Sequence, residues 1–280
     1  MSIRRPEHQA PPEIFYNEDE ARKYTQNTRM IDIQLTMSER AVELLCLPED
    51  QPCHILDLGC GSGLSGETLT EQGHTWVGVD ISPAMLGIAR EKEVEGDVIL
   101  GDLGEGLPFR AGIFDGAISI SALQWLCNAD KSTHSPAKRL QKLFASLYAC
   151  LSRGARAVFQ FYPENSAQIE LITTQAMKSG FTGGLVVDYP NSTKAKKIFL
   201  VLMTGGPQAL PAALGVGAED SARNTAHSER RERVRQIRSG KAPKKSRDWI
   251  LEKKERRRRQ GKETRTDSKY TGRKRQTNLW

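Results

Sequence analysis

The stretch Ile55-Leu56-Asp57-Leu58-Gly59-Cys60-Gly61-Ser62-Gly63-Leu64-Ser65-Gly66 constrains this chain more than any other. A short apolar run that ends in alternating glycines and passes into a helical stretch, here from about Leu64 to Gln72, is a strand–loop–helix unit. The glycines let the backbone turn sharply and approach a ligand, and the N–H groups at the helix start favour polar or anionic groups. Gly61, Gly63 and Gly66 satisfy GxGxxG literally. Asp80 follows at the end of the next apolar run, where an acid takes the two hydroxyls of a ribose.

The rest of the chain is consistent with that unit. Between Pro52 and Leu210, short apolar runs alternate with helical ones, the pattern of a βαβ protein. Residues 55–58, 76–79, 98–100, 117–120, 157–161, 185–187 and 198–202 are the strand candidates. The expected fold is α/β, a seven-stranded mostly parallel Rossmann-like sheet with helices on both faces. Ser82-Pro83 and Ser135-Pro136 each place a capping hydroxyl before a proline at the first helical position. After Pro136, the apolar stripe Leu140, Leu143, Phe144, Leu147, Tyr148 and Leu151 reads as core packing, with Gly154 as its left-handed stop. A helix also spans Ile31 to Leu47, preceded by a proline-rich lead-in and a short helix near Glu18.

Charge divides the chain. Residues 221–280 carry 22 Lys and Arg against 7 Asp and Glu, a net of +15, whereas residues 1–220 carry a net of −8. The expected organisation is a lead-in and lid over 1–30, a catalytic domain over 31–205, a linker over 206–227 and a basic, largely irregular tail over 228–280. A net of +15 over this stretch exceeds what solubility asks for and reads as a nucleic-acid footprint, with Lys253–Arg259 and Arg273–Arg275 as nuclear import clusters. No apolar run is long enough for a membrane span, and the N-terminus is not that of a signal peptide. Five cysteines without a CxxC pair support neither a disulfide framework nor a Cys-rich zinc site, and the scattered histidines suggest no metal. A reducing compartment, cytosol or nucleus, is expected.

The glycine loop alone points equally to a nicotinamide dinucleotide. Asp57, immediately before the glycines, argues against it, because a carboxylate there repels a pyrophosphate but welcomes a sulfonium ligand with an α-amino group. Asp102 follows the third strand, placed to accept from the exocyclic amine of adenine. Three acids thus end three consecutive strands.

With Asp57, Gly59, Gly61 and Gly63 forming an acid followed by GxGxG, the sequence resembles the class I S-adenosylmethionine-dependent methyltransferases. The segments Arg5-Pro6-Glu7-His8, Ala21-Arg22-Lys23-Tyr24, Asp80-Ile81-Ser82-Pro83-Ala84-Met85-Leu86, Ser119–Asn128, Tyr162-Pro163-Glu164-Asn165-Ser166 and Tyr270–Arg275 resemble, more narrowly, the eukaryotic 18S ribosomal RNA guanine-N(7) methyltransferase family. The resemblance implies S-adenosyl-L-methionine as cofactor, held by Tyr16, Tyr24, Asp57, Gly59, Cys60, Gly61, Gly63, Asp80, Ile81, Asp102 and Leu103. It also implies methylation of one guanine in 18S rRNA on pre-40S particles, and action in nucleus and nucleolus as well as cytoplasm. An obligate small zinc-binding activator subunit is implied as well, paired with the sheet edge at Val98–Leu100.

The 7-position nitrogen of guanine carries a free lone pair, so no general base is needed and positioning suffices. Gln124 and Trp125 after the fourth strand, and Tyr162 and Pro163 after the fifth, are the candidates for holding the unstacked base. Phe15, Tyr16 and Tyr24 are candidates for a lid. Cys127 lacks the preceding proline and the basic neighbour of a covalent nucleophile. The competing functions are an NAD-dependent oxidoreductase and a ribosome assembly factor whose presence, rather than catalysis, is required.

Overall fold

The computed structural model describes residues 5–49, 51–192, 195–206, 208–215, 247–259, 264 and 266–267. Seven strands form one sheet: β1 (His54–Leu58), β2 (Thr75–Asp80), β3 (Asp97–Leu100), β4 (Phe114–Ile120), β5 (Leu151–Phe161), β6 (Thr182–Asp188) and β7 (Lys197–Met203), in the order β3-β2-β1-β4-β5-β7-β6. The first five are parallel to one another. β7 is antiparallel to both β5 and β6. The β6–β7 connection is too short for a crossover, so the two strands form a hairpin, and β7 slots in beside β5.

Eight α-helices are described: α1 (Pro12–Phe15), α2 (Glu18–Gln26), α3 (Thr28–Leu45), α4 (Leu64–Glu71), α5 (Pro83–Glu91), α6 (Pro136–Cys150), α7 (Ser166–Lys178) and α8 (Arg247–Arg259). Local sequence explains most of the starts. Asn27, Ser82 and Asn165 each accept from the backbone N–H three residues on, capping α3, α5 and α7. Ser135 makes no such side-chain bond, so Pro136 alone marks the start of α6. Gly154 does not stop that helix: α6 ends at Cys150, and Gly154 lies inside β5 at φ +86°. There the register with β4 jumps from Phe114↔Leu151 to Gly116↔Arg156, so the glycine serves a bulge in the strand.

Alternation along each strand sends side chains to two separate cores. Leu56, Leu58, Phe159 and Phe161 join Leu140, Leu143, Phe144 and Ile172 beneath α6 and α7. Ile55, Ile118 and Val158 join Leu44, Leu45 and Leu69 beneath α3 and α4. Trp76 is closely hemmed in within the second core. A Cβ added at Gly66, Gly78 or Gly96 would fall 2.1, 2.6 and 2.2 Å from its nearest neighbour, which is the indole for Gly66 and Gly96 and Cys60 for Gly78, with the indole 2.9 Å away. The third glycine of the literal GxGxxG therefore lets α4 approach β2.

The chain divides into two compact units, Met1–Val216 and Gly217–Trp280. Within the first, residues 208–215 pack back on the sheet. Buried Arg40 bridges Asp188 (2.9 Å) and donates to the Ala212 carbonyl (2.8 Å), and the Leu214 N–H donates to Asp188 (2.8 Å). Within the second, Lys254 and Arg258 of α8 converge on Asp267 at 2.7 and 2.8 Å. Most of the segment expected as a linker, and Arg273–Arg275, lie outside the described residues.

Candidate active site

The carboxyl ends of β1, β2, β3 and β4 surround an open cleft. Its floor is the glycine loop. Gly59, Gly61 and Gly63 all lie at positive φ, a conformation that costs any other residue strain. The N–H groups of Gly59 and Cys60 donate to the Val79 carbonyl at 2.8 and 3.2 Å, fastening the loop to β2. Gly59, Cys60 and Gly61 line the cleft; Gly63 does not, and its bare Cα instead accommodates Val94.

Asp80 faces that loop. One carboxylate oxygen accepts from the Gly61 N–H and the other from the Ser82 N–H, both at 2.8 Å. Burial nonetheless raises its pKa above the usual carboxylate value, against the lowering effect of those bonds. The spare lone pairs of this acceptor point chemistry toward hydroxyl groups. Asp57 is fully buried and does not line the cleft. Its Oδ2 accepts from Ser65 at 2.5 Å, and Ser65 does line it. The other oxygen, Oδ1, is buried with no hydrogen-bond partner among the described residues. Burial chiefly, with the charge of Asp80 adding to it, lifts this carboxyl to about 7 in spite of Ser65.

Asp102 and Leu103 form the wall beyond β3 together with Arg139 and His134. Asp102 caps its own turn through the Gly104 N–H (2.8 Å) and pairs with Arg139 at 2.6 and 2.8 Å. The opposite wall comes from the N-terminal segment. Tyr16, Tyr24 and Trp125 line the cleft with ring centroids 5.9 Å (Tyr16–Tyr24) and 5.7 Å (Tyr16–Trp125) apart, and Phe15 packs on Trp125 at 5.8 Å from behind. Burial raises the pKa of both tyrosines, so they stay neutral hydroxyls. Ser82 anchors the N-terminal segment by donating to the Tyr16 carbonyl (2.8 Å) while capping α5.

Ile81 also lines the cleft, whereas Gln124, Tyr162 and Pro163 do not. Gln124 is buried, its amide donating to the Ser121 carbonyl (2.8 Å) and its Oε1 left without a partner among the described residues. Tyr162 is 36 % exposed past the end of β5, with Lys197 5.8 Å above its ring. Arg5 donates to the carbonyls of Tyr162 (2.9 Å) and Pro163 (3.2 Å), tying the N-terminal segment to this loop. Cys127 is pushed up to about 11 by burial, the wrong direction for a nucleophile. No group of three or more His, Cys, Asp and Glu capable of holding a metal occurs among the described residues.

Sequence reasoning missed Gln34, Ser62, Met85, Ser121 and Arg139, all of which line the cleft. Ser121 sits one residue past β4 at φ +58°, its hydroxyl donating to Gln160 (2.7 Å). Its place at a strand end was the available signal. Arg139 had none, since it approaches Asp102 from 37 residues away.

Residues 55–154 match the family model "Methyltransferase domain", and residues 202–277 match "Methyltransferase involved in Williams-Beuren syndrome". A TehB-like S-adenosylmethionine-dependent methyltransferase from Corynebacterium glutamicum shares the fold at TM-score 0.52 and 21 % identity, over 67 % of this chain and 100 % of that one. Phosphoethanolamine N-methyltransferase 2 of Haemonchus contortus, solved with S-adenosylhomocysteine, does so at TM-score 0.51 and 18 % identity, over 69 % and 58 %. Curated relatives are far closer. Identity is 61 % to the 18S rRNA (guanine-N(7))-methyltransferase of Mus musculus, covering 97 % of both chains. It is 50 % to the 18S rRNA (guanine(1575)-N(7))-methyltransferase of Saccharomyces cerevisiae, covering 97 % of this chain and 98 % of that one. On near-full-length identity of this order, the chain belongs to the eukaryotic 18S rRNA (guanine-N(7))-methyltransferase family.

Proposed function

We propose that this chain transfers a methyl group from S-adenosyl-L-methionine to the 7-position nitrogen of a guanine in 18S rRNA, during maturation of the small ribosomal subunit. The observation that carries the reading is the near-full-length identity to the mouse and yeast enzymes. The cleft fits the cofactor. Gly61 leaves the loop backbone bare beneath the ligand, and Asp80 offers acceptors suited to two ribose hydroxyls. Asp102 and Leu103 suit the adenine, and the unpartnered oxygen of Asp57 leaves negative character behind Ser65 for the α-amino end. Cys60, Ile81, Tyr16 and Tyr24 complete the enclosure, while Gly59 and Gly63 let the loop take its shape.

When bound, the cofactor supplies an electrophilic methyl on a sulfonium. The chain's own task is placement. The guanine nitrogen has its lone pair free at neutral pH, so no side chain need remove a proton, and holding nucleophile and methyl in line is worth up to roughly 7 to 11 kcal/mol in well-oriented systems. Trp125 forms the lid-side wall where an unstacked base enters, and Gln124, Tyr162 and Pro163 stand nearby at the carboxyl ends of β4 and β5. Tyr16, packed between Tyr24 and Trp125, gives the cleft an aromatic wall that limits water at the reacting atoms.

Two further parts of the reading concern partners. β3 is an edge strand with Ile99 37 % and Leu100 59 % exposed, which supports pairing with the small zinc-binding activator subunit as an added strand. The chain expressed alone is then aggregation-prone, and a stable, active monomer refutes this part. The basic segment 228–280 supplies phosphate contacts to 18S rRNA in pre-40S particles and the import signals for nucleus and nucleolus. The whole reading is tested by mapping 7-methylguanine in 18S rRNA after replacing the native protein with a Gly61→Glu variant, scoring modification and subunit yield separately. Persistent methylation overturns it. Lost methylation with normal yield separates catalysis from the requirement for presence.

A further inference from the structure

We propose that Arg139 sets the purine specificity of the cleft, by fixing Asp102 so that one defined carboxylate oxygen meets the exocyclic amine. The inference rests on the reading of Asp102 as the adenine-side acid. Nη2 of Arg139 donates to both Oδ1 (2.6 Å) and Oδ2 (2.8 Å), and the Gly104 N–H donates to Oδ1 as well (2.8 Å). Oδ1 therefore holds two donors and Oδ2 one, so the spare lone pair of the carboxylate belongs to Oδ2. Both Asp102 and Arg139 line the cleft.

The guanidinium is itself held from three sides. His134 lies 3.3 Å from Nη1. Below it is the bare backbone of Gly104, where an added Cβ would fall 2.1 Å from Nε and 2.6 Å from Cζ. The third constraint is α6, whose first turn carries the residue at 9 % exposure. Nε is buried with no hydrogen-bond partner among the described residues. A buried guanidinium with an unspent donor is a poor stabilising device. Its position is explained by what it does to Asp102.

An arginine-paired carboxylate offers acceptors only. A 6-amino purine donates to it, whereas a 6-oxo purine meets it acceptor to acceptor. Without the guanidinium the carboxylate is free to turn about its own cap, and the distinction weakens. Lysine does not replace the arginine, because a lone ammonium lacks the second nitrogen of the planar guanidinium, Nη1, which lies against His134 while Nη2 meets both oxygens.

The test is calorimetric titration of the full chain with S-adenosylhomocysteine and S-inosylhomocysteine, in wild type, Asp102→Asn and Arg139→Lys. Wild type is expected to prefer the adenosyl ligand by at least about tenfold, the low end for a charge-assisted hydrogen bond, and both variants to bring the ratio within about threefold. An Arg139 that only stabilises the fold would weaken both ligands equally and leave the ratio unmoved. A ratio lost in Asp102→Asn but kept in Arg139→Lys overturns the inference and leaves the reading of Asp102 standing. No preference in wild type, or one that survives Asp102→Asn, overturns that reading and the inference with it. Should Arg139→Lys lose its cooperative melting transition, Gly104→Ala, whose methyl displaces the guanidinium without removing it, carries the same expectation and the same refutation.

Discussion

Replacing Asp57 with Asn should make the ligand-free protein more stable at and above neutral pH while weakening its hold on the cofactor. The carboxyl is wholly buried, with Ser65 as its hydrogen-bond donor and Oδ1 unpartnered among the described residues. Burial, aided by Asp80, raises it from 3.8 to about 7. Between about pH 4 and pH 7 the folded state therefore holds a proton that the unfolded chain has released. The stability linked to this site is full below that window, falls as the pH rises through it, and stays low above it. A gap of roughly three units at about 1.4 kcal/mol each sets a ceiling near 4 kcal/mol. For a unit of this size that is roughly 8 to 16 °C in melting temperature. Asn removes the titration and nearly preserves the shape. Thermal melts of both proteins from pH 4 to 8.5 without cofactor should give a difference curve that rises with pH and levels above about 7. At pH 8 the variant should also bind S-adenosylhomocysteine more weakly, since the α-amino group loses its anion. A flat difference curve, or a variant destabilised equally at every pH, refutes the reasoning.

Gly61→Glu is expected to abolish cofactor binding by titration calorimetry, because Gly61 sits at φ +53° in the cleft floor and its Cβ would meet Met85 at 3.0 Å. Asp188→Asn should cost about 1.5 to 3 kcal/mol in denaturant unfolding, because the buried Arg40 guanidinium loses one carboxylate but keeps Glu43 at 3.1 Å, with cofactor affinity in the folded protein nearly unchanged. Removing residues 221–280 should leave the cofactor dissociation constant unaltered, since every residue assigned to the cofactor precedes that segment. The same deletion should reduce binding to pre-40S RNA and flatten its salt dependence by about 0.7 to 0.9 log units for each phosphate that the segment neutralises; an unchanged slope would assign the charge to another role.

Much of the architecture was legible because each strand carries a compact apolar run, and Asp57, Asp80 and Asp102 each lie near the end of one or follow it. The errors arise where a residue has two uses. Gly154 suits a helix stop and a strand bulge equally well, and only the register against β4 decides. Gly66 completes a dinucleotide motif in sequence, yet in space it makes room for Trp76. In the cleft, sequence located acids at strand ends but not the groups that meet them from afar. Arg139 on Asp102 and Arg5 on the Tyr162 loop are juxtapositions of the folded chain, invisible to spacing. Gln124, Tyr162 and Pro163 follow the right strands, but a 3-10 turn folds Gln124 inward and the chain past β5 carries the other two outside the cleft wall.

The glycine enclosure of Trp76 also has an optical consequence. Its indole is 3 % exposed, bonded through Nε1 to Thr70 and hemmed by backbone, so its emission should be blue-shifted and shielded from aqueous quenchers. Trp125 instead forms part of the cleft wall against Tyr16, where an arriving ligand alters its surroundings directly. Of the chain's four tryptophans, only these two precede residue 221. Shortened there, the protein carries a steady internal lamp and a responsive one, and the ratio of their emissions would report cleft occupancy without any added dye.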